Sequence, residues 1–349
     1  MKKIILTIVS VLILVSCGNT EENKKVENTK DKIASDNSAA LPVVETITGP
    51  KIHLEYKLKL GDKFTYRLKT IADNKEEVTL DSTMTNNVKQ TATYNIGFKV
   101  KNVSKENGTT ELEAVIKSIV AETSMNGQTV KYDSKYIYST REKVQFVDYE
   151  AIKKVPFRVH VNTIGQVVKV ENVNKIMRNI LQIQQVPDTL SKETKDRFRM
   201  NITNGTLMPL VQQVFKVLSE DEVGVGSFWE LKHTSPLAIF KAENIATFKI
   251  SDINFEEKDT TVNIASSLAI KVSGNNTVSD KGVTYVFGQP NLSGSGSVIF
   301  NQGKGLVKKS ESKIIVEMAM SMQGLDKDGK QINSSKKDFS TNINIVELL

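Results

Sequence analysis

Long runs of this chain alternate apolar and polar residues with a period of two, and that pattern constrains the fold more than any other feature. Successive side chains of a strand point to opposite faces, so such a run gathers its apolar groups on one side. KFTYRLKT puts Phe64, Tyr66 and Leu68 on one face, and TYNIGFKV does the same with Tyr94, Ile96, Phe98 and Val100. ELEAVIKSIV follows after Asn107-Gly108, and an Asn-Gly pair between alternating runs is a strong hairpin signal. Near the end, KIIVEMAMSMQGLDKDGKQIN aligns Ile314, Val316, Met318, Met320 and Met322 before a turn at Asp328-Gly329. These runs imply antiparallel hairpins with one buried face. With one cysteine in 349 residues no intrachain disulfide can form. A chain this long buries enough surface to be stable without one.

A helical stretch interrupts the strands. After strands around Phe157–Asn162 and Gln166–Val170, the apolar positions become Val173, Ile176, Met177, Ile180 and Ile183. That is helical spacing, and Pro187 closes it. A polar helix is expected near Ser191–Met200, stopping at Asn204-Gly205. Thr206 then caps a third helix with the stripe Leu207, Leu210, Val211, Val214, Phe215 and Leu218, and Pro209 falls in its first turn. The expected fold class is α+β and β-dominated. Two antiparallel β blocks form a curved sheet or half-barrel, with a central helical block over residues 172–218. The blocks are similar to each other. Setting LKLGDKFTYRLKT against VGVGSFWELKHTS aligns Gly61 with Gly226 and Phe64 with Trp229. Further on, Phe98 aligns with Phe248. The match points to an internal duplication of residues 54–120 as 222–272, the second copy lacking the 72–87 segment.

The N-terminus carries a different kind of signal. Lys2 and Lys3 precede an apolar run from Ile4 to Val15, broken only by Thr7 and Ser10. Twelve residues fall short of the roughly twenty that span a bilayer, so the run has the layout of a secretory signal peptide. Its end, Leu14-Val15-Ser16-Cys17, resembles the bacterial lipobox. The resemblance implies removal of residues 1–16 and lipid on Cys17, with acyl chains as the membrane contact. From Gly18 to Val44 the chain is rich in Asn, Lys, Glu, Ser and Asp and has no aromatic residue. Such a segment cannot bury enough apolar surface to order itself, so residues 17–48 are expected to be a lipidated tether and 49–349 the globular domain. Glu21 and Glu22 resemble the acidic signal that follows the cysteine in surface-exported lipoproteins of Bacteroidota. The location implied is the outer membrane, on its periplasmic face or the cell surface.

Sites of chemistry are sparse. GSGSVIFNQGKG looks like a phosphate loop, but Val298 and Gly305 stand where the Walker pattern needs Gly and Ser or Thr. Gly294 and Gly296 are better read as relieving crowding where strands bend. Asp326, Asp328 and Gly329 make a hairpin turn rather than a calcium loop, because the sixth loop position is Gln331 instead of Gly. His53, His160 and His233 share no metal-binding spacing, and no Gly-x-Ser-x-Gly elbow is present. The expectation is no catalytic residue, no metal and no cofactor. The net charge of +7 comes from scattered lysines without interleaved aromatics, which gives no support for nucleic-acid binding. Met318, Met320 and Met322 make a soft apolar stripe able to line a cavity, though an ordinary sheet core explains it as simply. Ser82, Thr189 and Thr260 lie in Asp-Ser/Thr triplets similar to those that Bacteroidota glycosylate.

The Asn- and Lys-rich composition, VSCGN and the repeated Gly-x-x-Phe/Trp strand opening resemble uncharacterised lipoproteins of Bacteroidota that form a domain family of unknown function. A half-barrel with helices on its concave side is similar to the fold of periplasmic lipoprotein carriers. These resemblances imply a lipid-anchored, non-enzymatic envelope protein whose curved sheet binds an apolar ligand or lipid. The alternatives are a structural or protein-interaction lipoprotein with a filled core and, less favoured, an envelope hydrolase.

Overall fold

The computed structural model describes residues 48–187, 189–256, 259–280, 282–325 and 331–349. The first block contains β1 (Thr48–Ile52), β2 (Lys63–Thr79), β3 (Thr83–Ser104), β4 (Thr109–Met125) and β5 (Gln128–Asp133). Two short helices follow, α1 (Thr140–Gln145) and α2 (Val147–Glu150), then β6 (Pro156–Asn162) and β7 (Val167–Glu171). The central helices are α3 (Asn174–Ile183), α4 (Lys192–Met200) and α5 (Met208–Val214). The second block runs through β8 (Val223–Val225), β9 (Phe228–Leu237), β10 (Phe240–Phe255), β11 (Thr260–Ser273), β12 (Thr277–Asp280) and β13 (Val283–Phe287). It ends with β14 (Asn291–Asn301), β15 (Leu306–Leu325) and β16 (Gln331–Leu348).

All strands but β1 and β8 join one antiparallel sheet in the order β7-β6-β4-β3-β2-β16-β15-β14-β11-β10-β9, and β5, β12 and β13 branch from it. The sheet curves without closing into a barrel, and β7 and β9 end its path. The last strand, β16, lies between the two blocks and pairs with β2 from Ser335↔Thr79 to Leu348↔Tyr66. Tyr66 donates to the Val307 carbonyl at 2.8 Å, a buried bond that ties the first block to β15.

The alternating runs form strands as expected. Tyr66, Leu68, Ile96, Phe98 and Val100 are buried, and residues 105–108 turn β3 into β4. Two stretches aligned in the sequence share local geometry. Gly61 and Gly226 have φ of +91° and +90°, the left-handed region that glycine enters without strain. Gly61 N–H donates to Val100 O at 3.1 Å, and Gly226 N–H to Ile250 O at 3.0 Å. Phe64 pairs with Phe98 and Trp229 with Phe248. Each pair stacks at 5.3 Å between ring centroids, with interplanar angles of 19° and 12°. The turn at Asp328-Gly329 lies outside the described residues.

The helices differ in two respects from the expectation. α3 and α4 form where the spacing places them, with Ser191 capping α4 through Thr194 N–H. The chain does not stop at Asn204-Gly205. It continues through a π-helical stretch, Asn201–Leu207, straight into α5, whose N-cap is Leu207 rather than Thr206. Gly205 does not adopt the left-handed turn that would end the helix. Ile202 and Leu207 are buried within the wide turn, so tertiary packing outweighs the local stop signal. Helices α1 and α2 lie outside the expected block at 172–218. Their start was nonetheless written in Ser139-x-x-Glu142: the Ser139 hydroxyl accepts from Glu142 N–H, and Glu142 accepts from Ser139 N–H at 2.8 Å.

Helix α5 packs against β7, β2 and β16. Val211, Val214, Phe215 and Leu218 join a core with Tyr66, Leu68, Phe98, Phe157 and Phe300. Phe215 contacts Tyr56, Phe98 and Phe64 at 5.5, 5.4 and 6.5 Å. It therefore covers the first stacked pair, Phe64 and Phe98.

Candidate functional site

Directly paired residues of antiparallel strands share a face, so the register shows what crosses the buried side at each level. One row is Ile264, Val298, Ser310, Val346, Leu68 and Tyr94. It is mostly large and apolar and lies in the core. The next row is Ser266, Gly296, Ser312, Asn344, Thr70 and Ala92. Its members are small or polar and cannot fill the space above them. Beyond it Leu268, Gly294 and Ile314 stand abreast.

A hollow of about 120 Å³ opens at the small-residue row. Its helix-side wall is Gln212, Phe215 and Lys216, and its sheet-side wall includes Leu231, Ala246, Phe248 and Leu268. Ser266, Ser312 and Gly294 lie between. The glycines of β14 shape this wall. A Cβ on Gly294 would come within 2.9 Å of Leu268 Cβ, and one on Gly296 within 2.7 Å of the Glu311 carbonyl. Strands approach too closely there for any side chain. The crowding expected from the sequence is real, and its second consequence, a bare strip facing the hollow, was not foreseen.

The hollow also explains the asymmetry between the two stacked pairs. Phe215 lies against Phe98, but Phe248, the equivalent position on β10, lines the open space. A small apolar cluster continues the wall: Leu292, Ile314 and Val316 are buried, with Leu268, Ile270 and Met318 packed on them. Two buried polar atoms find no hydrogen-bond partner among the described residues: Gln212 Oε1, in the wall of the hollow, and Trp229 Nε1, on the ring stacked against Phe248. His233, half-buried on β9 next to Leu231 in face order, has its pKa lowered by desolvation.

The methionine stripe does not line this hollow. Met318 packs on the small cluster, and Met320 and Met322 lie further along β15, paired with Phe287 and Tyr285 of β13. Ile314 lines the hollow in their place. Ser82 is exposed in the β2–β3 turn and Thr189 is exposed in a loop, while Thr260 is half-buried at the start of β11. Leu14, Val15, Ser16, Cys17, Glu21 and Glu22 lie outside the described residues. Among the described residues no three His, Cys, Asp or Glu side chains group as metal ligands, and no helix is long and apolar enough to cross a membrane. Ala246, Ser266, Phe248 and Gln212 were missed as site residues because they converge only through strand register and helix docking.

No curated protein sequence matches the chain. A lipovitellin structure described by its lipid–protein interactions is similar over 83% of this chain, at 11% identity and a TM-score of 0.38. The chain spans 25% of that protein. The COG4313 outer membrane channel from Pseudomonas putida F1 is similar over 84% of this chain and 97% of its own, at 9% identity and a TM-score of 0.19. Likenesses this low assign neither fold nor ligand. A family model matches residues 107–307, more than half of the sequence, and the chain therefore belongs to the family of unknown function DUF6263.

Proposed function

We propose that this protein is a non-enzymatic, lipid-anchored envelope protein that holds an apolar chain against the concave face of its sheet. The observation that carries this reading is the hollow beside Phe248 and Ala246, joined through Leu268 and Ile314 to the apolar cluster of Leu292 and Val316. Its 120 Å³ is below the roughly 300 Å³ at which enclosed small-molecule pockets begin. The hollow therefore suits the end of an acyl chain, with the rest lying along the half-buried sheet face. A terminal hydroxyl or protonated carboxyl would give Gln212 Oε1 the donor it lacks. Anchorage rests on the lipobox-like Leu14–Cys17 and the charged segment after it. The modest volume is also what favours the competing reading, a filled-core interaction lipoprotein.

One titration separates the two. Trp229 is the sole tryptophan and stacks on Phe248. A bromine-labelled C16 fatty acid added to the purified protein should quench its fluorescence saturably. Quenching that only rises linearly, as free tryptophan gives, would leave the filled-core reading standing.

A further inference from the structure

A second hollow, lined mostly by polar side chains, lies among α1, α2 and α3. It measures about 290 Å³ and is lined by Thr140 and Lys143 of α1, Glu150 of α2, and Asn179, Gln182 and Ile183 of α3. The capping box at Ser139 fixes the start of α1 and so presents Thr140 and Lys143. Asn179 donates to the Ala151 carbonyl at 3.1 Å, pinning α3 against the end of α2. The spacing 179, 182 and 183 puts the three α3 residues on one helix face.

Glu150 is an unusual residue to find here. Its side chain is 4% exposed, and acidic side chains are rarely buried without partners. Tyr132 donates to Glu150 Oε1 at 2.8 Å, and Lys153 donates to the same oxygen. An ionised carboxylate accepts at both oxygens. Among the described residues no donor reaches Oε2. Lys153 pairs with Glu150, whereas Lys143 forms no ion pair among the described residues and is the cation in the wall that an anionic group can meet. Glu142, its neighbour on α1, is engaged with Ser139.

We infer that this hollow binds a small hydroxylated carboxylate of the sugar-acid type. Lys143 takes the carboxylate of the ligand, a ligand hydroxyl donates to the second oxygen of Glu150, and Thr140 and Gln182 serve the remaining hydroxyls. Charge-assisted bonds from lysine to carboxylate are about twice as strong as neutral ones, so the acid should be preferred over the neutral sugar. The site is separate from the apolar hollow, and neither reading depends on the other.

The test is isothermal titration of the purified protein with D-galacturonate, D-galactose and acetate, supported by saturation-transfer NMR. Saturable galacturonate binding is expected, with galactose weaker by about tenfold and acetate silent. Lys143→Met should weaken galacturonate by about tenfold and erase its advantage over galactose. Gln182→Leu should weaken both sugars alike. Both substitutions leave the Tyr132–Glu150–Lys153 contacts untouched, so a folded variant is expected, and circular dichroism checks it. No saturable galacturonate binding up to about 50 mM, near the floor of specific affinity, would overturn the assignment. So would galacturonate binding that Lys143→Met leaves unchanged.

Discussion

Replacing Ala246 with Leu tests the apolar hollow most directly, because two observables should move in opposite directions. Ala246 is 8% exposed and lines the hollow from β10. Leucine adds three carbons. They would project from β10 into the 120 Å³ hollow and occupy part of it. Each newly buried carbon is worth about 0.8 kcal/mol, so the variant can gain up to about 2.4 kcal/mol. That figure is an upper bound, since the unfolded chain already hides some apolar surface. Urea unfolding followed by Trp229 fluorescence and circular dichroism measures the gain as a higher midpoint at unchanged slope. The same variant should bind the bromine-labelled fatty acid at least about tenfold more weakly, because the space is occupied. Destabilisation by about 1–3 kcal/mol instead would mean that leucine overpacks a full site and that no hollow exists. A stabilised variant with unchanged binding would leave the hollow real but move the ligand elsewhere.

Three further outcomes are expected. Tyr66→Phe removes the donor to the buried Val307 carbonyl and should cost about 1–3 kcal/mol in urea unfolding; a loss below about 0.5 kcal/mol would show the bond to be unimportant. His233 has a pKa lowered from 6.5 by burial, so the unfolded chain binds more protons than the folded one just below that value. Stability should therefore fall as pH drops through 6.5 towards the folded-state value, and His233→Gln should flatten that slope; identical profiles for the two proteins would refute the assignment. Cys17→Ala should shift the protein from the membrane fraction to the soluble fraction of its host, and unchanged sedimentation with membranes would count against lipidation.

Period-two alternation in the sequence determined that most of the chain is strand, and it named the inward face of β2, β3 and the start of β15, where Tyr66, Leu68, Ile96, Phe98, Val100, Ile314 and Val316 are buried. The face of β4 changes parity between Ile116 and Ile119, where the pairing with β3 shifts register. The repeated Gly-x-x-Phe/Trp opening aligned Gly61 with Gly226, and both take φ near +90°, which only glycine adopts without strain. Helices α3 and α4 were legible from helical spacing and from Ser191. These features are local: each is set by side chains within a few positions of one another. Register between distant strands is not local. The pairing of β16 with β2 joins residues more than 250 positions apart, and no short pattern encodes it. That pairing lines up Ser312, Asn344 and Thr70 into a row too small to fill the curve of the sheet. The docking of Phe215 then closes the first stacked aromatic pair and leaves Phe248 facing the hollow. The continuous turn through Gly205 was decided in the same way, by burial of Ile202 and Leu207 against a stop signal worth about 1 kcal/mol. Sequence settled which side chains face inward. Only the tertiary structure decided which of them meet, because that depends on strand register and helix placement summed over the whole chain.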